Sequence, residues 1–298
     1  LSSWVSTWLQ TSGVNTLRPV IETDGESYKS IAIKQEAPKI PAGSTELRPH
    51  RAAVGLYDLK DGQLLRRKSV ELDISGDLTQ VKELSGEKLA DLLLINDHDL
   101  TYAKIRFDAR SIATLKAHLG KLDDGLSRAL CWSAAWDMFR DAELSATDFI
   151  EIALTGLAGE DDITTVTALM TQLNTAVEIY AADKNRDSLR EKVAGALLSL
   201  LKSAKAGSDH QLQFARSFAA LAHSKEQGAE IRNILDGKFQ DLKIDADLRW
   251  HLILCLVERG LSTRAEIDAE LKRDNTLTGA LSHERCIAAF PTLEAKEA

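Results

Sequence analysis

The residues able to do chemistry are scattered along this chain. His283-Glu284-Arg285-Cys286-Ile287 comes nearest to a zinc-hydrolase signature, which needs two histidines one helical turn apart with a glutamate beside the first. Ile287 stands where the second histidine is required, so the pair reads as part of a surface helix. Asn96-Asp97-His98-Asp99 alternates donors as a metal loop does, yet between two strands such a run reads as a turn capped by its own side chains. Ser199-Leu-Leu-Lys202 has the serine–lysine spacing of some acylating enzymes but lies inside an apolar helical stretch with no supporting motif. There is no G-x-G-x-x-G, no phosphate-binding Gly-Lys-Ser/Thr loop, no G-x-S-x-G and no C-x-x-C. Read from the residues alone, the chain carries no catalytic site and no metal site.

Three further runs could bind rather than react. Cys131-Trp132 and Trp136, with Met138 and Phe139 alongside, form an aromatic stripe at helical spacing, which packs a core or lines a ligand wall. Arg66-Arg67-Lys68 lies on a strand beside a hairpin with no aromatic platform, so a solvated strand end or a domain contact is expected rather than nucleic acid. Leu248-Arg249-Trp250-His251 mixes apolar and cationic groups at the start of a late helix. Arg249, Trp250 and His251 are therefore the candidates for contact with a peptide, and a capped helix end is the competing explanation.

The elements that must position these residues fall into two halves. Up to residue 107, short alternating runs at 16–22, 28–35, 52–59, 63–74, 78–83, 92–96 and 102–107 predict seven antiparallel strands, with turns at Asp24-Gly25, Asp61-Gly62 and Ser75-Gly76. That many strands in such a span predicts a β-sandwich. From Asp108 the period changes to about 3.6. About ten helices are expected, near 109–119, 123–141, 146–158, 162–182, 186–206, 209–222, 225–236, 246–259, 264–273 and 276–289, with another starting at Pro291. Ser145-Ala-Thr-Asp148 and Thr263-Arg-Ala-Glu266 read as capping boxes, and Gly159, Gly237 and Gly260 as left-handed helix stops. Pro291 reads as a first-turn proline. The expected fold is multidomain α+β: an antiparallel β-sandwich followed by an all-α, HEAT- or armadillo-like helical domain. Its segments are a linker at 1–15, the sandwich at 16–107 and the helical domain at 108–298.

Composition excludes several classes. The 298 residues carry 37 Lys and Arg against 45 Asp and Glu, a net charge of −8, which argues against a general phosphate-backbone binder. Net charge is −1 up to Phe107 and −7 beyond it, so the acidity belongs to the helical half. Three well-separated cysteines, Cys131, Cys255 and Cys286, make no disulfide framework and fit a cytoplasmic location. No stretch approaches 18 consecutive apolar residues and the start lacks the features of a signal peptide, so no membrane partner is expected. The absence of an initiator Met suggests a segment of something longer.

Several stretches are familiar in their order. They are Trp4-Val-Ser-Thr-Trp8-Leu-Gln-Thr-Ser-Gly13-Val-Asn-Thr-Leu17, Leu47-Arg-Pro-His-Arg51 with Val54-Gly-Leu-Tyr-Asp58, and Leu92-Leu-Leu-Ile-Asn96-Asp97 running into Asp99-Leu-Thr-Tyr102-Ala-Lys-Ile-Arg106-Phe-Asp108. After them come Arg128-Ala-Leu-Cys-Trp-Ser-Ala-Ala-Trp-Asp137-Met138 and Pro291-Thr-Leu-Glu-Ala-Lys-Glu-Ala298. Together they resemble the C-terminal portion of aminopeptidase N, in the HExxH zinc aminopeptidase family, and most of all its high-GC Gram-positive bacterial branch. Ala103 departs from the family's Gly-Tyr-Tyr-Arg-Val strand. The resemblance implies a β-sandwich bridging a zinc catalytic domain to a superhelical domain that covers the active site and controls peptide access. It places the zinc and every catalytic residue upstream of Leu1, with none in this chain. It names the upstream catalytic domain and peptide substrates as partners. A free-standing helical-repeat interaction module is the alternative.

Overall fold

The computed structural model describes residues 2–239 and 241–297; Leu1, Gln240 and Ala298, two of which end the expected terminal segments, lie outside the described residues. The protein is mixed α+β, with two sheets near its start and helices after them. Its contacts divide it into two compact units between Glu160 and Asp161.

The first unit opens with α1 (Ser2–Leu9), a helix in the segment expected to be a linker. Arg48, only 2% exposed, holds it: Nε donates to the Thr7 carbonyl at 3.1 Å, Nη1 to Asn15 Oδ1 at 2.8 Å and Nη2 to Thr11 Oγ1 at 2.6 Å. The seven expected strands follow: β1 (Thr16–Asp24), β2 (Ser27–Glu36), β3 (His50–Lys60), β4 (Gln63–Ile74), β5 (Leu78–Gln80), β6 (Leu92–Ile95) and β7 (Lys104–Ile105). One sheet runs β5-β2-β1-β7 and the other β4-β3-β6. At the β3–β4 hairpin Asp61 (φ 51°) and Gly62 (φ 78°) both take the left-handed conformation, which gives the turn the twist of its strands.

Two strand expectations change. β7 pairs with β1 in parallel, Thr16 against Lys104 and Leu17 against Ile105. No hairpin joins these two, so nothing in the connection forces them antiparallel. The run expected to 83 leaves the sheet after Gln80 and closes as a single 3₁₀ turn, Lys82–Leu84.

The strand-to-helix switch falls at Asp108, whose carboxylate caps α2 (Ala109–His118) by accepting from the Arg110 and Ser111 amides. With α3 (Gly125–Arg140) and α4 (Ala146–Leu157) it completes the first unit. Ser145 caps α4, but Asp148 turns its carboxylate to the Ser145 hydroxyl and Lys116 rather than back to an amide, so the box is half made. Gly159 is not a left-handed stop; a Cβ there would sit 3.2 Å from the Gly120 carbonyl, and close approach explains the residue.

The second unit contains α5 (Ile163–Thr175), α6 (Asp183–Ser203), α7 (Asp209–Leu221), α8 (Lys225–Leu235), α9 (Ala246–Glu258), α10 (Arg264–Arg273), α11 (Leu277–Ala288) and α12 (Leu293–Glu297). The helix expected over 162–182 breaks after Thr175 into one π turn, Ala176–Tyr180. Thr167, Thr171 and Thr175 each donate to the carbonyl four residues back, a pattern that competes with helical bonding and bends the axis. Full capping boxes form at Thr263–Glu266, as expected, and at Ser224–Gln227. Gly237 (φ 72°) and Gly260 (φ 66°) are left-handed stops. Pro291 lies before α12 rather than in its first turn, and the Thr292 hydroxyl accepts from the Ala295 amide. No helix among the described residues is long and apolar enough to cross a membrane.

His50, 4% exposed, bonds Thr101 Oγ1 at 2.7 Å and Gln35 Oε1 at 3.1 Å. Burial, reinforced by Arg48, lowers its pKa from 6.5 to about 4. Between those values the unfolded chain binds a proton that the folded chain refuses. His50 therefore leaves stability intact above pH 6.5 and withdraws it as pH falls toward 4. Over that interval, at roughly 1.4 kcal/mol per pH unit, the loss is at most about 3 kcal/mol. Urea unfolding of the wild type and His50→Gln across this range measures it, and parallel pH profiles for the two proteins would refute the assignment.

Candidate functional site

The most tightly built polar cluster surrounds Asp97, which follows β6 and is fully buried. A bulge between Leu56 and Tyr57 leaves Arg67 as the extra residue of β4 and sets Tyr57 opposite Arg66. The Tyr57 hydroxyl donates to Asp97 Oδ1, Arg66 Nε lies 2.9 Å from Oδ2, and Ser69 donates to Oδ2 at 3.3 Å. Ser127, from the first turn of α3, reaches the Tyr57 hydroxyl at 2.9 Å. Burial, with Asp97 adding to it, pushes the Tyr57 phenol far above its ordinary value, so it stays a donor. Gly55 is the other half of this arrangement: a Cβ there would stand 2.6 Å from the Asp97 carboxyl carbon.

A second cluster joins β7 to the end of α3. Arg106, 1% exposed, pairs with Asp141 and, at 3.1 Å, with Glu143. Lys104 Nζ lies 2.8 Å from both Asp141 oxygens, and Arg18 spans Glu36 at 3.2 Å and Glu143 at 2.9 Å. The Arg18 guanidinium holds the Glu36 carboxyl below its ordinary value.

The basic triplet expected at a strand end or contact is neutralised in place. Arg66 serves Asp97, Arg67 pairs with Asp58 at 2.8 Å and Glu87 at 2.6 Å, and Lys68 reaches Glu87 at 2.8 Å. The loop holding His98 closes on itself. The Asn96 side chain donates to the Thr101 carbonyl at 2.9 Å and accepts from its amide at 3.1 Å. Trp132 is 3% exposed and packs on Gly156, where a Cβ would stand 2.4 Å from the ring. Trp136, Phe139 and Phe149 pack with ring centres 5.1 to 5.5 Å apart.

In the second unit, Ser199 donates to the Gly195 carbonyl at 3.0 Å, whereas Lys202 points to Glu230 at 3.3 Å, so the two do not pair. His283 sits between Asp268 at 2.8 Å and Glu284 at 3.0 Å. Arg249 grips Glu270 through two bonds of 2.7 and 2.6 Å and reaches the Leu235 carbonyl at 3.2 Å, closing the end of α8. The Trp250 indole donates to Asp274 at 2.8 Å. His251 Nε2 lies 3.0 Å from the Arg216 carbonyl, which can only accept, so that nitrogen carries the proton; burial lowers the ring's pKa. Its ring also borders a shallow hollow with Gln213 and Ser217.

Not singled out from sequence is a polar hollow of about 270 Å³ bordered by Glu178, Arg190, His223, Glu258 and Arg259. Glu178, on the π turn, pairs with Arg190, and Arg259 donates to the Ala220 and Ala222 carbonyls at the end of α7. The Asp97 cluster was also not foreseen, although one signal pointed to it: Gly55 in the middle of an apolar strand marks close approach of another group. Among the described residues no group of three or more His, Cys, Asp or Glu could hold a metal ion. The thiols of Cys255 and Cys286 are pushed up to about 11 by burial, and burial raises Cys131 further. None is a thiolate at neutral pH.

Asp97→Asn leaves Arg66 facing a neutral amide, and Gly55→Ala drives a methyl into the carboxylate. Each should cost about 2–4 kcal/mol, read as a lower urea midpoint. A loss below about 0.5 kcal/mol in both would show that the cluster does not hold the β4-β3-β6 sheet to α3.

Comparison with known proteins follows the same line. Residues 92–298 match the family model described as the ERAP1-like C-terminal domain. Over 303 aligned residues the chain is 45% identical to a Streptomyces lividans protein named aminopeptidase N, covering 99% of this chain and 35% of that protein. The chain thus spans about a third of the length of that relative.

Proposed function

Since the chain belongs to the ERAP1-like C-terminal domain family, as the C-terminal part of an aminopeptidase N, we propose that it is the non-catalytic wall of a zinc enzyme that removes N-terminal residues from peptides. One observation carries the reading: nearly all of this chain matches only 35% of the relative. The other two-thirds leaves room for a separate catalytic part. Among the described residues no group of three or more His, Cys, Asp or Glu could hold a metal ion, and the zinc is proposed to belong to that upstream part, which is also the partner proposed for this chain.

In this reading the two sheets form a sandwich and the helices stack in a HEAT-like superhelix that caps the active site. The cap admits short or unfolded peptides and keeps bulk water from the reaction. Arg249, Trp250 and His251 remain the proposed peptide-facing residues, with His251 the one that borders a hollow. The net charge of −7 beyond Phe107 favours entry of cationic peptides, and salt weakens that preference. A cytoplasmic location completes the proposal.

Two measurements test it. The isolated chain, supplied with zinc, should release no product from an alanyl anilide, while the parent protein turns it over; turnover by the isolated chain would sink the division of labour. In the parent, replacing several exposed carboxylates of the helical half by amides should lower kcat/KM for Lys-rich peptides several-fold at low salt. The small anilide should be unaffected. Equal losses for both substrates would remove the access role.

A further inference from the structure

One carboxylate in the first unit has no work in the fold. Asp137 lies in the last turn of α3, half-buried, and among the described residues no hydrogen bond or ion pair engages its side chain. Its surroundings are unfavourable for a negative charge. The C-terminal end of a helix carries the negative end of the peptide dipoles, and Asp141 stands one turn further on. Asp141 is compensated by Lys104 and Arg106, and Asp137 is not. Burial raises the Asp137 carboxyl above its ordinary range and Asp141 adds to the rise, outweighing the pull of Lys104, Arg106 and Arg140.

The carboxylate borders a hollow of about 210 Å³ whose wall mixes the apolar side chains of Val14, Ile105 and Leu130 with the polar ones of Asn96, Asp99 and Ser133. Lys104 is the cation of that wall, and its ammonium is already held by both Asp141 oxygens at 2.8 Å. Tyr102, 74% exposed, stands at the rim. Apolar side chains along part of the wall, an aromatic ring at the mouth and a carboxylate with no direct partner are three parts that recognise an alkylammonium ion. At roughly 30 Å³ per water-sized group, the five heavy atoms of a butylammonium ion need about 150 Å³, which the hollow supplies.

We propose that this hollow binds a primary alkylammonium group of the size of a lysine side chain, with Asp137 taking the charge, Val14, Ile105 and Leu130 meeting the methylenes and the Tyr102 ring closing the mouth. The site lies wholly in the first unit and does not depend on peptidase activity in the parent.

Calorimetric titration of the full chain with Nα-acetyl-lysine methylamide should show saturable binding in the millimolar range. The neutral norleucine analogue should bind at least about tenfold more weakly, as should the lysine probe to Asp137→Asn. Tyr102→Ala, an exposed change that spares the fold, should weaken binding several-fold, and it keeps the test open if Asp137→Asn folds poorly. Alanine methylamide, whose only cation is an α-ammonium, separates a chain terminus from a lysine side chain. Tighter binding of that probe overturns the side-chain assignment. Absence of saturable binding, equal binding of the norleucine analogue, or affinity unchanged in both variants overturns the site.

Discussion

The first unit depends on a buried negative charge. Asp97 is fully buried, and in such a place a carboxylate persists only if its oxygens are met by donors with good geometry. The donors come from three parts of the chain: Tyr57 from β3, Arg66 and Ser69 from β4, and Ser127 from α3 by way of the Tyr57 hydroxyl. Each is placed by a separate feature, the bulge for Tyr57, the hairpin register for Arg66, and the Asp124 cap for the start of α3. Removing any one of these features takes a donor from the set around the charge. Gly55 is the steric counterpart, because the carboxylate occupies the space where its side chain would be.

The arginines extend the same logic to helix ends. Arg128 pairs with Glu160 at 3.2 Å and also takes the Leu122 and Asp123 carbonyls at 2.8 and 2.9 Å. In the second unit two arginines of α9 take carbonyls at the ends of neighbouring helices, Arg249 at Leu235 and Arg259 at Ala220 and Ala222. A guanidinium suits this task because its planar fork serves several acceptors and stays charged at any working pH. The last carbonyls of a helix have no partner within it, and a cation there also meets the negative end of the helix.

Much of this was legible in the sequence, and the failures have physical causes. Strand positions along the chain, the Asp61-Gly62 turn and most helix bounds follow from local pattern and turn chemistry, which act over a few residues. The parallel pairing of β7 with β1 was not legible, because it joins segments almost ninety residues apart with no turn between them to declare an orientation. The π turn after α5 was hidden for a different reason. Thr167, Thr171 and Thr175 satisfy a helical pattern, yet their hydroxyls compete for its carbonyls. Gly159 looked like a stop, since a glycine after a helix gives the same signal whether it needs a positive φ or only room for the Gly120 carbonyl. The hydrogen-bond partners of the binding candidates were not legible either. Arg249 and Trp250 stand where a groove residue could stand, and only the folded chain shows that their polar atoms meet Glu270 and Asp274.

The same saturation bears on what the chain can do. Ser199 is committed to a carbonyl, the thiols of Cys131, Cys255 and Cys286 are buried and protonated, and His50 and His251 are held in their neutral forms by burial. Nucleophilic catalysis needs a group whose lone pair is free and whose base partner is within reach. Polar groups spent on backbone carbonyls and on each other cannot meet that requirement, but they hold helices and sheets in fixed register. The covering wall proposed for this chain depends on that rigidity. Against these saturated groups a half-buried carboxylate with no hydrogen bond or ion pair among the described residues stands out, and Asp137 in the first unit is that exception.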